Sequence, residues 1–137
     1  YKQGIPQFVP ESFVIKFEPV TKYLFLDFDG VMNSDAYALI YQSPYITPDL
    51  LNIDPQAVNV LNKLMNIYPD IKIIISSSWR NYFSIQEISN SLTEKGFHYS
   101  HNIIDKTPKL DNQKREEEIL FYLKNKSNYE FVVLDDG

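Results

Sequence analysis

The sequence predicts an α/β fold in which helices cover a doubly wound, mostly parallel, Rossmann-like sheet. Apolar runs typical of buried strands alternate with segments of helical periodicity, as expected of right-handed strand–helix–strand units. Three of these runs, within residues 23–33, 71–80 and 131–137, end in polar side chains. Because the carboxyl ends of parallel strands share one edge of a sheet, we expect these polar side chains to meet there.

The length of 137 residues allows one domain with a sizeable core. Residues 1–22 are predicted to be an N-terminal extension, and residues 23–137 the folded α/β domain. Three of the eight prolines fall in the extension, around an alternating segment at 13–17 that fits an edge strand as well as a mobile tail. The first strand of the domain is predicted at about residues 23–27.

Two helices with clear boundary signals are predicted between the first three strands. The first begins at the N-cap Asp54 and ends before Pro69. The second begins at Ser84, which forms a capping box with Glu87, and ends at Gly96. These two helices are the expected crossovers of a parallel sheet.

A third strand is predicted at about residues 97–104, followed by a third helix that starts near Asp111. Residues 116–118 place three glutamates in the first turn of this helix, where acidic side chains favour the helix dipole. The fourth strand then ends at Asp135. Three apolar side chains of the third helix are expected to face the core: Ile119, Leu120 and Leu123.

Composition excludes several classes of function. Without cysteine there are no disulfides, thiolate metal sites or cysteine nucleophiles. The formal net charge of −5 argues against a general nucleic-acid-binding surface. No apolar stretch is long enough to span a membrane, and the N-terminus does not resemble a signal peptide. We therefore expect a cytoplasmic protein, with unconventional export left open.

The pair Asp27 and Asp29, followed by Gly30, is the most informative motif. If the preceding apolar run is a strand, both carboxylates lie at its carboxyl end and flank one small volume. A buried pair of carboxylates is costly unless a cation accompanies it. The motif therefore indicates a divalent ion and an anionic ligand. A strand that ends in an ordinary Asx turn is the alternative.

The motifs together resemble those of the haloacid dehalogenase-like (HAD) phosphatases, and within them a small group associated with RNA-repair proteins. Many members insert a cap domain after the first strand, but residues 33–53 are too few for a large one. Members also continue beyond the last acidic motif, so we expect this sequence to be truncated at its C-terminus. The resemblance rests on LDFDGV at 26–31, ISSSWR at 75–80, KTP at 106–108, KREEEI at 114–119 and LDD at 134–136.

The resemblance implies a phosphoric monoester hydrolase that forms an aspartyl-phosphate. Asp27 is the expected nucleophile, and Asp29 the expected general acid and base. Mg²⁺ is the expected cofactor because it prefers hard oxygen ligands. Its ligands by resemblance are Asp27, the backbone carbonyl of Asp29, and Asp135, with Asp136 just outside them.

Phosphate binding is expected from the serine run and from a basic residue at the start of the third helix. Ser77 is preferred as the hydroxyl that contacts the phosphoryl oxygens, with the backbone N–H of Ser78 assisting and Ser76 as the alternative by one residue. Arg115 best matches the cation of the family, and Lys114 is the alternative. Either basic residue could instead pair with Glu118 on the helix surface. The side chains of Arg80, Tyr82 and Phe83, which follow the serines, are expected at the rim of the site. For Trp79, packing in the core is preferred.

The absence of a large cap domain predicts an open site that admits a macromolecular substrate. The acidic net charge favours a phosphoprotein, with phosphotyrosine as one option. The resemblance to RNA-repair proteins favours a polynucleotide end instead. A non-catalytic interaction module that keeps the fold is the third interpretation.

Overall fold

The architecture is a parallel sheet with helices on both faces. The computed structural model describes residues 19–33 and 53–135. In chain order the strands are Thr21–Leu26 (β1), Lys72–Ile75 (β2), Ile103–Lys106 (β3) and Tyr129–Leu134 (β4), and the α-helices are Pro55–Ile67 (α1), Ile85–Glu94 (α2) and Arg115–Leu123 (α3). Short 3-10 helices occupy Ser78–Asn81 and Ser100–Asn102. The strands are all parallel, in the order β3–β2–β1–β4.

The sheet is doubly wound, as predicted. Alternate side chains of β1 and β2 point to opposite faces, so each face has its own apolar cluster. Leu26 and Ile75 pack on the side of α1 and α2, whereas Phe25 and Ile74 pack on the side of α3. Because β2 and β4 flank β1 on opposite sides, the carboxyl ends of β1 and β4 form the topological switch point.

The predicted boundaries of the first two helices are confirmed. The Asp54 carboxylate accepts a hydrogen bond from the Gln56 N–H at 2.9 Å, which caps α1. Ser84 and Glu87 form the capping box of α2. Gly96 has φ +99°, a left-handed conformation that suits glycine at the end of a helix. These local signals therefore act as the sequence predicts.

The third strand begins later than predicted. Residues 100–102 form a 3-10 turn, and β3 covers only Ile103–Lys106. The Asn102 side chain donates hydrogen bonds to the carbonyls of Pro69 and Ile71, at 2.7 and 2.9 Å. The turn is thereby tied to the segment before β2, and extended pairing starts only beyond it.

The third helix differs from the prediction at its start and in its buried face. It begins at Arg115 rather than near Asp111, because the turn before it places Asn112 at φ +55°. Ile119 and Leu123 are buried as predicted, but Leu120 is 60% exposed. Glu118 is buried instead, so the buried face of the helix is rotated relative to the face that the apolar residues alone predict.

Within the described ranges no helix is long and apolar enough to cross a membrane, and there is no cap domain. The suggested edge strand at 13–17 and the predicted role of Asp136 lie outside those ranges.

Candidate active site

Asp27 lies at the switch point, directly after β1. Its N–H donates to the Leu134 carbonyl at 3.0 Å, so the pairing of β1 with β4 continues to this residue. The residue is only 4% exposed. Its Oδ1 accepts a hydrogen bond from the Phe28 N–H at 2.8 Å, which leaves Oδ2 to face α3. The end of β1 thus holds a buried carboxylate in one fixed orientation.

Arg115, the first residue of α3, joins the acids that follow β1 and β4. Its Nη1 lies 2.9 Å from Oδ2 of Asp27 and 2.8 Å from Oδ2 of Asp135. One guanidinium nitrogen contacts both carboxylates, so both line the same small volume. Lys114, the alternative cation, is an exposed residue at the N-cap position of α3. The geometry therefore favours Arg115 over Lys114 as the cation of the candidate site.

The electrostatic balance of this cluster depends on burial. Burial raises the pKa of Asp27 above its ordinary value, although the positive charge of Arg115 opposes the shift. Burial alone would lower the pKa of Arg115, but hydrogen bonds and charges from Asp135 and Asp27 raise it overall. The ionised form of Asp27 is thus costly in the folded protein, and additional positive charge near it would be favourable.

Asp29 is two residues beyond Asp27, on the turn after β1, where Gly30 has φ +78°. Unlike Asp27, it is exposed. Its Oδ1 accepts two hydrogen bonds, from Asn33 Nδ2 at 3.1 Å and from Trp79 Nε1 at 3.0 Å. The Gly30 N–H in turn donates to Asn33 Oδ1 at 2.9 Å, which closes the turn. Nothing in the sequence pattern linked Asn33 or Trp79 to Asp29.

Ser76 and Ser77 have different environments. Ser76 follows Ile75, which pairs with Leu26, so it lies beside Asp27 on the α3 face of the sheet. Its hydroxyl is buried and has no hydrogen-bond partner among the described residues. The Ser77 hydroxyl, by contrast, accepts from the Trp79 N–H at 3.2 Å and caps the 3-10 helix. Ser78 is exposed at the start of that helix.

Arg80 and Glu118 form a buried ion pair behind the serines. Arg80 Nη2 lies 2.8 Å from Glu118 Oε1, and Arg80 Nη1 donates to the Ser77 carbonyl at 2.7 Å. The other carboxylate oxygen of Glu118 accepts from the Leu110 N–H at 2.8 Å. The expected rim position of Arg80 is therefore wrong. The alternative in which Lys114 or Arg115 pairs with Glu118 is also not observed, because Glu118 pairs with Arg80. Arg80 can be buried because Glu118 on α3 is its counterion.

The aromatic residues near the serines divide between core and surface. Trp79 is buried as predicted and packs against Phe28, with ring centroids 4.9 Å apart. Phe83 is half-buried and also contacts Trp79, whereas Tyr82 is well exposed. Of the three, only Tyr82 is free enough of the core to contact a large ligand.

The donor chemistry at the switch point fits Mg²⁺. Asp27 and Asp135 already gather around one positive group, and Mg²⁺ is held in many proteins by one or two carboxylates together with water. No group of three or more His, Cys, Asp or Glu suited to a metal occurs within 19–33 and 53–135. Fit to a metal therefore rests on these two carboxylates, with the carbonyl of Asp29 as the expected third oxygen.

Comparison with known proteins gives one family. A family model described as the HAD domain in Swiss Army Knife RNA repair proteins matches residues 23–137. Neither the curated proteins nor the solved structures include a significant match to the chain.

Proposed function

The chain belongs to the HAD domain family of Swiss Army Knife RNA repair proteins, and on this premise we propose that it is a magnesium-dependent phosphomonoesterase. The observation that carries the proposal is the contact of Arg115 with both Asp27 and Asp135 at the switch point. A phosphate monoester carries negative charge and resists attack by a carboxylate. Its hydrolysis therefore needs a fixed nucleophile beside concentrated positive charge, which this cluster supplies.

The reaction we propose has two steps. In the first, an Asp27 oxygen bonds to phosphorus, the bond from phosphorus to the leaving oxygen breaks, and Asp29 gives that oxygen a proton. In the second, water bonds to phosphorus and Asp29 takes its proton. The bond from phosphorus to Asp27 then breaks and inorganic phosphate leaves. Arg115 is placed to stabilise charge on the phosphoryl oxygens in both steps.

Mg²⁺, when bound, would supply further positive charge against the phosphoryl group. The residues that would hold it are Asp27, Asp135 and the backbone carbonyl of Asp29, with Asp136 as their neighbour. The raised pKa of Asp27 supports this assignment, because a carboxylate that is costly to ionise benefits most from a nearby cation.

Phosphate release from p-nitrophenyl phosphate tests the proposal. We expect hydrolysis with Mg²⁺, loss of activity in EDTA, and recovery when Mg²⁺ is restored. Circular dichroism in EDTA is the control that the fold survives removal of the metal. No hydrolysis at any Mg²⁺ concentration would favour the non-catalytic interaction module.

Among the serines, the geometry leads us to propose Ser76 as the hydroxyl that binds the phosphoryl group. It lies beside Asp27, and its hydroxyl is buried without a partner among the described residues, a costly arrangement unless a ligand completes the hydrogen bonding. The Ser77 hydroxyl is already engaged as a helix cap. Ser77 remains the alternative.

The two serines can be separated by matched alanine variants. We expect Ser76→Ala to lower kcat/KM by about 10²-fold, because one donor to the phosphoryl oxygens is lost. Ser77→Ala should lower stability by about 1 kcal/mol through loss of the cap while kcat/KM stays within a few-fold. Steady-state kinetics and urea unfolding measure both effects. The reverse pattern would assign the role to Ser77.

Two observations favour a polynucleotide end over a phosphoprotein as substrate. The family description names RNA repair proteins. In addition, the chain is acidic overall, but the segment that enters α3 carries exposed lysines at positions 106, 109 and 114 and leads to Arg115 at the site. A basic segment at this edge would suit the phosphates that precede a strand end. The net charge of −5 remains the argument for a phosphoprotein.

Competing substrates decide between these classes. We expect the wild type to prefer 3′- or 5′-phosphorylated oligonucleotides to a phosphotyrosyl peptide, with kcat/KM falling as salt increases. The double variant Lys109→Gln, Lys114→Gln should reduce this preference. Its matched control is Lys124→Gln with Lys126→Gln, beyond the far end of α3. A preference for the peptide, insensitive to salt, would establish the phosphoprotein interpretation.

A further inference from the structure

We infer that Trp79 is a positioning residue for Asp29: its indole N–H holds one carboxylate oxygen and leaves the other for the substrate. The inference rests on the proposed function, since it concerns the group that we propose as general acid. It assigns a role to the tryptophan of the SSSWR segment that neither the family description nor the sequence pattern assigns.

The indole is a rigid donor. Trp79 is 1% exposed and packs against Phe28 and Phe83, with ring centroids 4.9 and 5.9 Å from its own. Its backbone N–H is also held, by the Ser77 hydroxyl. Both ends of the residue are therefore fixed, and Nε1 is aimed at Asp29 Oδ1 from 3.0 Å.

Asp29, by contrast, has little packing of its own. It is exposed on a turn, so its orientation depends on hydrogen bonds rather than on neighbouring apolar atoms. Two donors, Trp79 Nε1 and Asn33 Nδ2, converge on Oδ1. Within the described ranges no donor reaches Oδ2. The second oxygen is thus the one available to carry the transferred proton.

This arrangement suits a general acid. When the ester bond breaks, the proton on Oδ2 passes to the leaving oxygen, and a negative charge remains on the carboxylate. The two donors at Oδ1 stabilise that charge and keep the carboxyl group in reach of the leaving oxygen. Misplacing a catalytic group by about 1 Å can cost on the order of 10²-fold in rate. Trp79 therefore acts through Asp29 and need not touch substrate.

Leaving-group dependence distinguishes positioning from general structural damage. The alkoxide of an alkyl ester such as β-glycerophosphate needs a proton as it departs, whereas p-nitrophenolate leaves readily without one. We expect Trp79→Phe to lower kcat/KM for the alkyl ester by about 10- to 100-fold, with at most about a threefold change for p-nitrophenyl phosphate. Phe83→Leu, which disturbs a ring contact of Trp79 but not its N–H, is the matched control and should affect both esters alike.

A double-mutant cycle with Asp29→Asn shows whether the effect passes through Asp29. When Asp29→Asn is already present there is no acid to position, so adding Trp79→Phe should have no further effect on the alkyl ester. Additive losses, or equal losses for both esters, would overturn the inference. A wild type without phosphatase activity would instead remove the proposed function, and this inference with it.

A spectroscopic test examines the contact without any turnover, and it remains informative if Trp79→Phe does not fold. Trp79 is the only tryptophan of the chain, so the protein has a single indole N–H resonance. We expect Asp29→Ala to move that resonance upfield, because a hydrogen bond to a carboxylate is lost. Glu117→Gln, a change at an exposed carboxylate on α3, should leave it in place. An indole resonance insensitive to Asp29→Ala would refute the contact.

Discussion

Replacing Asp27 by asparagine is expected to abolish phosphate release, with kcat lowered by more than about 10⁴-fold in the p-nitrophenyl phosphate assay. The amide is close in size to the carboxylate, but it is a poor nucleophile and cannot form the aspartyl-phosphate. It also removes the negative charge that faces Arg115. The effect should be among the largest of any single substitution in the chain, because no other described carboxylate occupies the same position.

This loss should not come from unfolding. Since burial raises the pKa of Asp27, its ionised form costs stability at neutral pH. Without metal, the contribution of Asp27 to stability should therefore increase as pH falls through its folded-state pKa. A neutral asparagine removes that cost. We therefore expect Asp27→Asn to unfold at the same denaturant concentration as the wild type or higher, measured without Mg²⁺.

The control for this prediction is Asp70→Asn, an identical chemical change at an exposed carboxylate before β2, at the opposite edge of the sheet. It should leave activity unchanged. Substantial turnover by Asp27→Asn would exclude the covalent mechanism, and an Asp27→Asn protein that is unfolded in urea-free buffer would contradict the electrostatic argument.

The largest expected effect on stability comes from Glu118. Substituting glutamine keeps most of its volume and hydrogen-bonding capacity, but it leaves the buried charge of Arg80 without its counterion. Removing one partner of a buried ion pair typically costs about 3–5 kcal/mol. That is a large share of the roughly 5–15 kcal/mol by which small domains are stable. Equilibrium urea unfolding measures the loss, with no disulfides to complicate it.

Two further variants make this result specific. Glu117→Gln, the exposed neighbour of Glu118, should change stability by less than about 0.5 kcal/mol. Arg80→Met combined with Glu118→Leu should be more stable than Glu118→Gln alone, because no unpaired charge remains in the core. A Glu118→Gln protein as stable as the wild type would show that the pair contributes little.

The ion pair of Arg80 and Glu118 should also affect activity. Arg80 also holds the Ser77 carbonyl, and Glu118 lies one turn after Arg115 on α3. The ion pair thereby links the serine segment to the helix that carries the cation of the site. A buried pair in this position secures the relative placement of the two elements that we propose to bind phosphate, which come from distant parts of the chain.

Much of the fold and part of the site could be predicted because their signals are local. The caps at Asp54 and Ser84 and the stop at Gly96 each depend on a few neighbouring residues. Strand ends are equally local. Once a parallel sheet is inferred, the positions of the strand ends predict that Asp27 and Asp135 lie at one edge of the sheet. This prediction needs no knowledge of side-chain packing.

Other features have no local signal. Leu120 fits the apolar stripe of α3 as well as Ile119 does, yet Leu120 is exposed. Glu118 is buried instead, because it pairs with Arg80, which follows β2. The choice between Ser76 and Ser77 is similar, since both follow the same strand. Only the strand register and the cap formed by Ser77 distinguish them.

The sequence by itself determined the parallel α/β fold, the helix caps and the acids that close β1 and β4, because hydrophobic period, capping and strand ends act over a few residues. The tertiary structure alone decided that Trp79 reaches Asp29, that Arg80 is buried against Glu118 and that Arg115 lies between two carboxylates. Each of these contacts joins residues that are far apart in the chain, and it forms only when the packing of the sheet and helices brings a donor and an acceptor together.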